Sequence, residues 1–151
     1  MLVTELKSIK PGLASWVAYQ TIVGRILSIA LCPPLEQPLN QSKDLTGVNR
    51  RDFVLPNYAS EGIWKQLRTE YKAHFVVADA KNSTEVSKED VLQIGNYLKL
   101  SGVGLFAIIV CRGGPTNGAI QTIREQWIMY QKMIVVLNDQ DVEQILRPNM
   151  Q

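Results

Sequence analysis

Asp79 and Lys81 stand one alanine apart in "VVADAKN", at the end of an otherwise apolar run. Side chains at i and i+2 of a strand point to one face. Phe75, Val77, Asp79 and Lys81 therefore share one side, and Val76, Ala78 and Ala80 the other. A carboxylate buried without a partner is costly, so the pair is either a local ion pair at a strand end or part of a site. Asp52, in "RRDFVL", is a second acid flanked by interior residue types in another expected strand. Two strand-end carboxylates suit a hard cation such as Mg²⁺, which takes oxygen ligands and keeps several waters. The backbone carbonyl of Ala80 would add a further oxygen. Such an ion offsets charge in phosphodiester hydrolysis and lowers the pKa of a bound water. Lys81 would lie near that water and the scissile phosphate.

The elements that must position these groups follow from periodicity. Residues 14–31 read as an amphipathic helix, with Trp16, Tyr19, Val23, Ile26, Leu27 and Ala30 on one face and Gln20 set in the apolar stripe. Pro33 and Pro34 end it, and a polar, proline-containing connection spans 35–49. Residues 50–55 read as a strand stopped by Pro56 and Asn57. The next helix is expected to be capped by Ser60, with Ile63, Leu67 and Tyr71 inward. The strand 74–81 follows. Ser87 with Asp90 three residues later predicts a capping box opening a helix over 88–100, which Gly102 and Gly104 break. The apolar run 105–111 predicts a strand covered on both faces. The helix that follows is expected to present Ile120, Ile123, Trp127 and Tyr130 inward. Residues 133–137 form a further strand, and Asp139 is the expected cap of a closing helix through Leu146. The alternation predicts one α/β domain over 1–151, a central mixed sheet flanked by helices, with the last strands parallel.

"RRDFVLPN", "VVADAKN" and "QIGNY", in this order, resemble the PD-(D/E)xK nuclease superfamily of restriction-endonuclease-like fold. Asp52 matches the first acid, Asp79 the second and Lys81 the lysine. Gln93 and Tyr97 match a Q-x-x-x-Y element on the following helix, where four-residue spacing puts both on one face. The resemblance covers about residues 14–146. It implies a Mg²⁺-dependent DNA endonuclease, with Mn²⁺ able to substitute, in which Asp52, Asp79 and the Ala80 carbonyl hold the metal. The similarity is to domains of larger bacterial proteins, which implies a place in a restriction or phage-defence system. A Holliday-junction resolvase and a nuclease-like binding or assembly module that does not cut are the alternatives. Cutting both strands of a duplex would imply a homodimer. The chain departs from the pattern in three ways: Arg51 replaces the proline, the second acid is Asp, and Gln20 stands where some relatives carry a metal-binding glutamate. Glutamine supplies no charge, which leaves one metal or two open.

The chain's 46% hydrophobic and 20% charged residues and net charge of +2 are those of an ordinary folded domain and argue against disorder. The small charge permits nucleic acid without requiring it; Arg50, Arg51, Asn82 and Arg112 are candidate phosphate contacts near strand ends. Asn82 would also tie down its strand end. His74 is the single histidine, which excludes histidine triads, and Cys32 and Cys111 lack companions for a zinc site and are expected to be reduced. "RGGPTNG" lacks the G-K-[ST] ending of a nucleotide-binding P-loop. With no signal-peptide pattern and no expected run of roughly 18–20 apolar residues, the expectation is a cytoplasmic protein that makes no membrane contact.

Overall fold

The computed structural model describes residues 1–39 and 52–147. Arg50, Arg51 and the stretch 40–49 of the expected connection lie outside the described residues. The chain runs through α1 (Leu2–Ser8), a 3₁₀ turn (Leu13–Ser15), α2 (Trp16–Leu31), β1 (Phe53–Pro56), α3 (Gly62–Glu70) and β2 (Phe75–Lys81). It continues through β3 (Glu85–Val86), α4 (Lys88–Tyr97), β4 (Phe106–Cys111), β5 (Gly114–Pro115), α5 (Asn117–Tyr130), β6 (Met133–Leu137) and α6 (Asp139–Leu146). The main sheet has the order β1-β2-β4-β6. β1 is antiparallel to β2, and β4 and β6 extend the sheet in parallel. The protein is therefore a mixed α/β structure with helices on both faces of a central mixed sheet.

Strand parity decides which helix meets which face. Val76 and Ala78 pack with Tyr19, Ile22, Val23 and Ile26 of α2, Leu6 of α1 and Val142 of α6. Val77, Ala107, Ile109 and Cys111 point the other way, onto Val91 and Ile94 of α4 and Ala119 of α5. The crossovers β2→β4 and β4→β6 step across the sheet in the same direction. Crossovers of one hand then place α4 and α5 on the same face. β4 is buried at every position, as its unbroken apolar run requires. Each fully buried valine of β2 stabilises the fold by roughly 1.5–3 kcal/mol relative to exposure.

The capping box at Ser87 forms as expected: the Ser87 hydroxyl accepts from the Asp90 N–H and the Asp90 carboxylate from the Ser87 N–H. Other local expectations are corrected. α4 ends at Tyr97, before the glycines. The residue preceding α3 is Glu61, without a side-chain cap, and Ile63 is exposed. Asn138, not Asp139, caps α6, in a capping box with Asp141. The inner face of α5 is Ala119, Thr122 and Gln126, whereas Trp127 and Tyr130 are half-exposed. The reason is the tight α4–α5 contact, where a Cβ on Gly95 would stand 2.7 Å from the Gln126 side-chain oxygen. Gln126 fills that seam, and Trp127 and Tyr130 turn outward. α1 and the short β3–β5 ladder were not expected from the sequence. At Gly113 an added Cβ would meet the Thr84 carbonyl oxygen at 2.0 Å, so close approach of two backbones requires this glycine.

The segment Leu13–Leu31 is long and apolar enough by composition to cross a membrane, with a mean hydropathy of 1.2, contrary to the expectation from sequence. In the fold one side of α2 is buried against the sheet. Its Trp16, expected inward, is 44% exposed.

Candidate functional site

Asp52 lies one residue before β1, and the antiparallel register sets it beside Asp79, since Phe53 pairs with Ala78. The main-chain N–H of Asp52 donates to Asp79 Oδ1 at 3.2 Å. One Asp52 oxygen accepts the N–H of Ala80 at 2.7 Å and the other accepts Gln20 Nε2 at 2.9 Å. Here β1 has not yet begun, and the Asp52 carboxylate takes the Ala80 N–H that a strand carbonyl would otherwise accept. Gln20 reaches it from α2, so the polar residue in the apolar stripe is explained by its acidic partner. Gln20 and Asp79 are each only 7% exposed. Asp52 also opens onto a cleft of about 510 Å³ between α2 and residues 37–39.

Lys81 is on the Asp79 face of β2, as strand parity requires. Its ammonium pairs with Asp90 Oδ1 at 3.4 Å. Asp90 therefore serves twice, closing the α4 capping box and holding Lys81 beside the α4 N-terminus. The capping box was legible in the sequence, but Asp90 as the lysine's partner was not. Gln93 is exposed on α4, and Tyr97 is partly buried against the α4–α5 core. Among the described residues Gln93 makes no side-chain hydrogen bond to the aspartates.

Asn82 ties the end of β2 to the N-terminal segment. Its Nδ2 donates to the carbonyls of Lys10 and Gly12, both at 2.9 Å, and its own carbonyl accepts the Gly12 N–H. Arg112, considered above as a phosphate contact, is instead a buried clamp. It donates to Asp139 Oδ2 at 2.9 Å, Asn82 Oδ1 at 3.1 Å and the carbonyls of Leu6 and Ile9, and its guanidinium lies 5.2 Å from the Tyr19 ring centre. Two atoms beside it, Tyr19 Oη and Asp139 Oδ1, are buried with no protein hydrogen-bond partner among the described residues. Burial, then the Asp139 charge, holds the Tyr19 phenol well above its ordinary pKa. Burial also pushes the Cys111 thiol up to about 11. Thr116 caps α5 through the Ala119 N–H, so part of that helix N-terminus is satisfied internally.

The oxygen donors suit a hard divalent cation. Residue N–H and C=O groups in a strand point to one edge, so the Ala80 carbonyl faces the side on which its N–H meets Asp52. Among the described residues no group of three or more His, Cys, Asp or Glu side chains gathers. Two carboxylates and a carbonyl are oxygen donors of the kind a hard divalent cation takes alongside waters. No protein-family model and no curated protein matches the chain.

Proposed function

We propose that this chain is a divalent-metal-dependent DNA endonuclease domain of the restriction-endonuclease-like class. The observation that carries the reading is the meeting of Asp52 and Asp79 across the β1–β2 register, with Lys81 two residues on and on the same face. The order of elements agrees with it: first acid, D-x-K strand, Q-x-x-x-Y helix, parallel strand.

In this reading Asp52, Asp79 and the Ala80 carbonyl hold one Mg²⁺. The ion, when bound, would offset phosphate charge and acidify a water. Gln20 and the Ala80 N–H hold the Asp52 carboxylate in one orientation, so little reorganisation is needed when substrate arrives. The Lys81 ammonium, parked on Asp90, turns toward the phosphate and stabilises charge developing on its oxygens. That pair is partly exposed and worth at most about 1 kcal/mol, so releasing Lys81 costs little. A second reading, a nucleic-acid-binding or assembly module that does not cut, is favoured by Gln20 standing where an acid would add a metal ligand.

The test is cleavage of supercoiled plasmid, linear duplex, single-stranded and branched DNA with Mg²⁺, Mn²⁺ or EDTA. Wild type is run beside Asp79→Ala and Lys81→Ala, with folding checked by circular dichroism. Metal-dependent cutting lost in both folded variants supports the nuclease. Activity that survives both substitutions refutes this site, and wild type that cuts nothing with either metal favours the binding module. Preference for branched DNA would select the resolvase.

A further inference from the structure

Gln20 brings α2 against the Asp52 side of the site. Gly24 of α2 lies over Phe53, close enough that an added Cβ would be 2.8 Å from its ring, and Gln20 lies over Asp52. Each helical turn advances about 5.4 Å. The preceding turn carries Trp16 and Val17, which by four- and three-residue spacing lie on the same helix face as Gln20. The 3₁₀ turn before it hangs from Asn82, the residue after Lys81, through three hydrogen bonds to residues 10 and 12. Leu13, Trp16 and Val17 are 88%, 44% and 58% exposed, and the exposed Lys10 lies three residues before Leu13. Among the described residues Lys10 has no ion-pair partner.

Resting on the nuclease reading above, we propose that Leu13, Trp16 and Val17 form a shelf on which an unpaired base of the substrate stacks, with Lys10 holding the adjoining phosphate. A duplex shows a protein its phosphates and base edges, so it offers nothing broad and apolar to this shelf. An unpaired nucleotide offers a π-face to Trp16 and an anion to Lys10. A second copy of the chain is the poorer occupant. Three side chains fall far short of the roughly 800 Å² per partner of a stable interface, and a two-fold axis through the shelf would bring Lys10 toward its own copy. The substrate class that follows is single-stranded, flapped or frayed DNA.

The experiment uses the Asp79→Ala chain in EDTA, so that nothing is cut, with fluorescein-labelled oligothymidine and a blunt duplex of equal length. Anisotropy reports binding, and tryptophan emission reports stacking. The expected result is tighter binding of oligothymidine than of duplex, with quenched emission. Adding Trp16→Leu weakens oligothymidine binding roughly tenfold, abolishes most of the quench and leaves duplex binding unchanged, while Trp16→Phe restores most of the affinity. Trp16 is half-exposed, so both variants should fold, which circular dichroism verifies. Equal oligothymidine affinity with and without Trp16→Leu overturns the proposal. So does sedimentation showing that Trp16→Leu dissolves a dimer, which would make the shelf a self-association surface. If wild type cuts plasmid while Trp16→Leu changes nothing, this inference fails alone. If the protein neither cuts nor binds DNA, the nuclease reading fails with it.

Discussion

Replacing Gln20 by glutamate places a third carboxylate against Asp52 at the 2.9 Å contact now made by an amide donor. Two costs follow without metal. The donor bond to a charged acceptor is lost, about 1.5–3 kcal/mol. Like charges about 4 Å apart repel by about 4 kcal/mol at an effective dielectric of about 20. Asp52 is partly exposed, and protonation of one partner relieves the strain, so we expect about 3 kcal/mol of destabilisation near neutral pH. For a domain of this size that is a fall in Tm of roughly 6–12 °C in EDTA. A divalent cation between the three acids reverses the sign of the contact. Saturation at about 100 times Kd returns about 2.7 kcal/mol, so Mg²⁺ should recover most of the lost Tm. Gln20→Leu, which removes the donor without adding charge, should fall in Tm and gain no more from Mg²⁺ than wild type does. The assay is thermal unfolding by circular dichroism in EDTA and in Mg²⁺, repeated at lower pH. A proton shared between Glu and Asp is bound more tightly than by either alone, so the Gln20→Glu deficit should shrink as pH falls through that raised pKa. Equal Tm values for Gln20→Glu and wild type in EDTA, or equal Mg²⁺ shifts for Gln20→Glu and Gln20→Leu, would refute the reasoning.

Arg112→Met should lower stability by about 3 kcal/mol, because it strands the Asp139 carboxylate and strips three carbonyl or amide acceptors of their donor; urea unfolding measures this, and adding Asp139→Leu should recover part of the loss. Cys111, fully buried, has its folded pKa raised to about 11 from an ordinary value of 9.0. Its neutral thiol therefore contributes stability that is complete below the unfolded pKa and is lost as pH rises from 9.0 toward about 11. Wild type should lose stability more steeply than Cys111→Ala across that range in urea titrations at successive pH, and parallel slopes would contradict the assignment.

Much of the sheet could be read directly. β2, β4 and β6 are apolar runs of strand length, and the Ser87–Asp90 box marks α4 by local chemistry alone. The meeting of Asp52 with Asp79 was an expectation that needed the antiparallel register to become a distance. What stayed hidden depends on partners far away in the chain. Gln20 reads as an oddity until Asp52 stands opposite, and Arg112 reads as a surface cation until α1, Asn82 and Asp139 close around it. The outward turn of Trp127 was hidden for a different reason. Periodicity locates an apolar stripe, but the narrow seam set by Gly95 and Gln126 decides which side of α5 goes in. Trp16 escaped the core similarly: residues 16–18 of α2 are all exposed, and burial of the helix begins only at Tyr19.

The Arg112 clamp has a consequence for the order in which the chain assembles. Its bonds to Ile9 and Leu6 span 103 and 106 residues, and its bond to Asp139 ties in α6 as well. α1 is thus among the last elements to find its seat, because that seat is built from α2, α6 and Arg112 after β4. Contacts of such long sequence separation close slowly, since the intervening chain must be ordered first. In native-state hydrogen exchange the same logic runs in reverse. α1 should open as a separate, low-free-energy unit while β2 and β4 stay protected, and since Asn82 anchors residues 10 and 12, each such opening would also loosen the mouth of the acid pair.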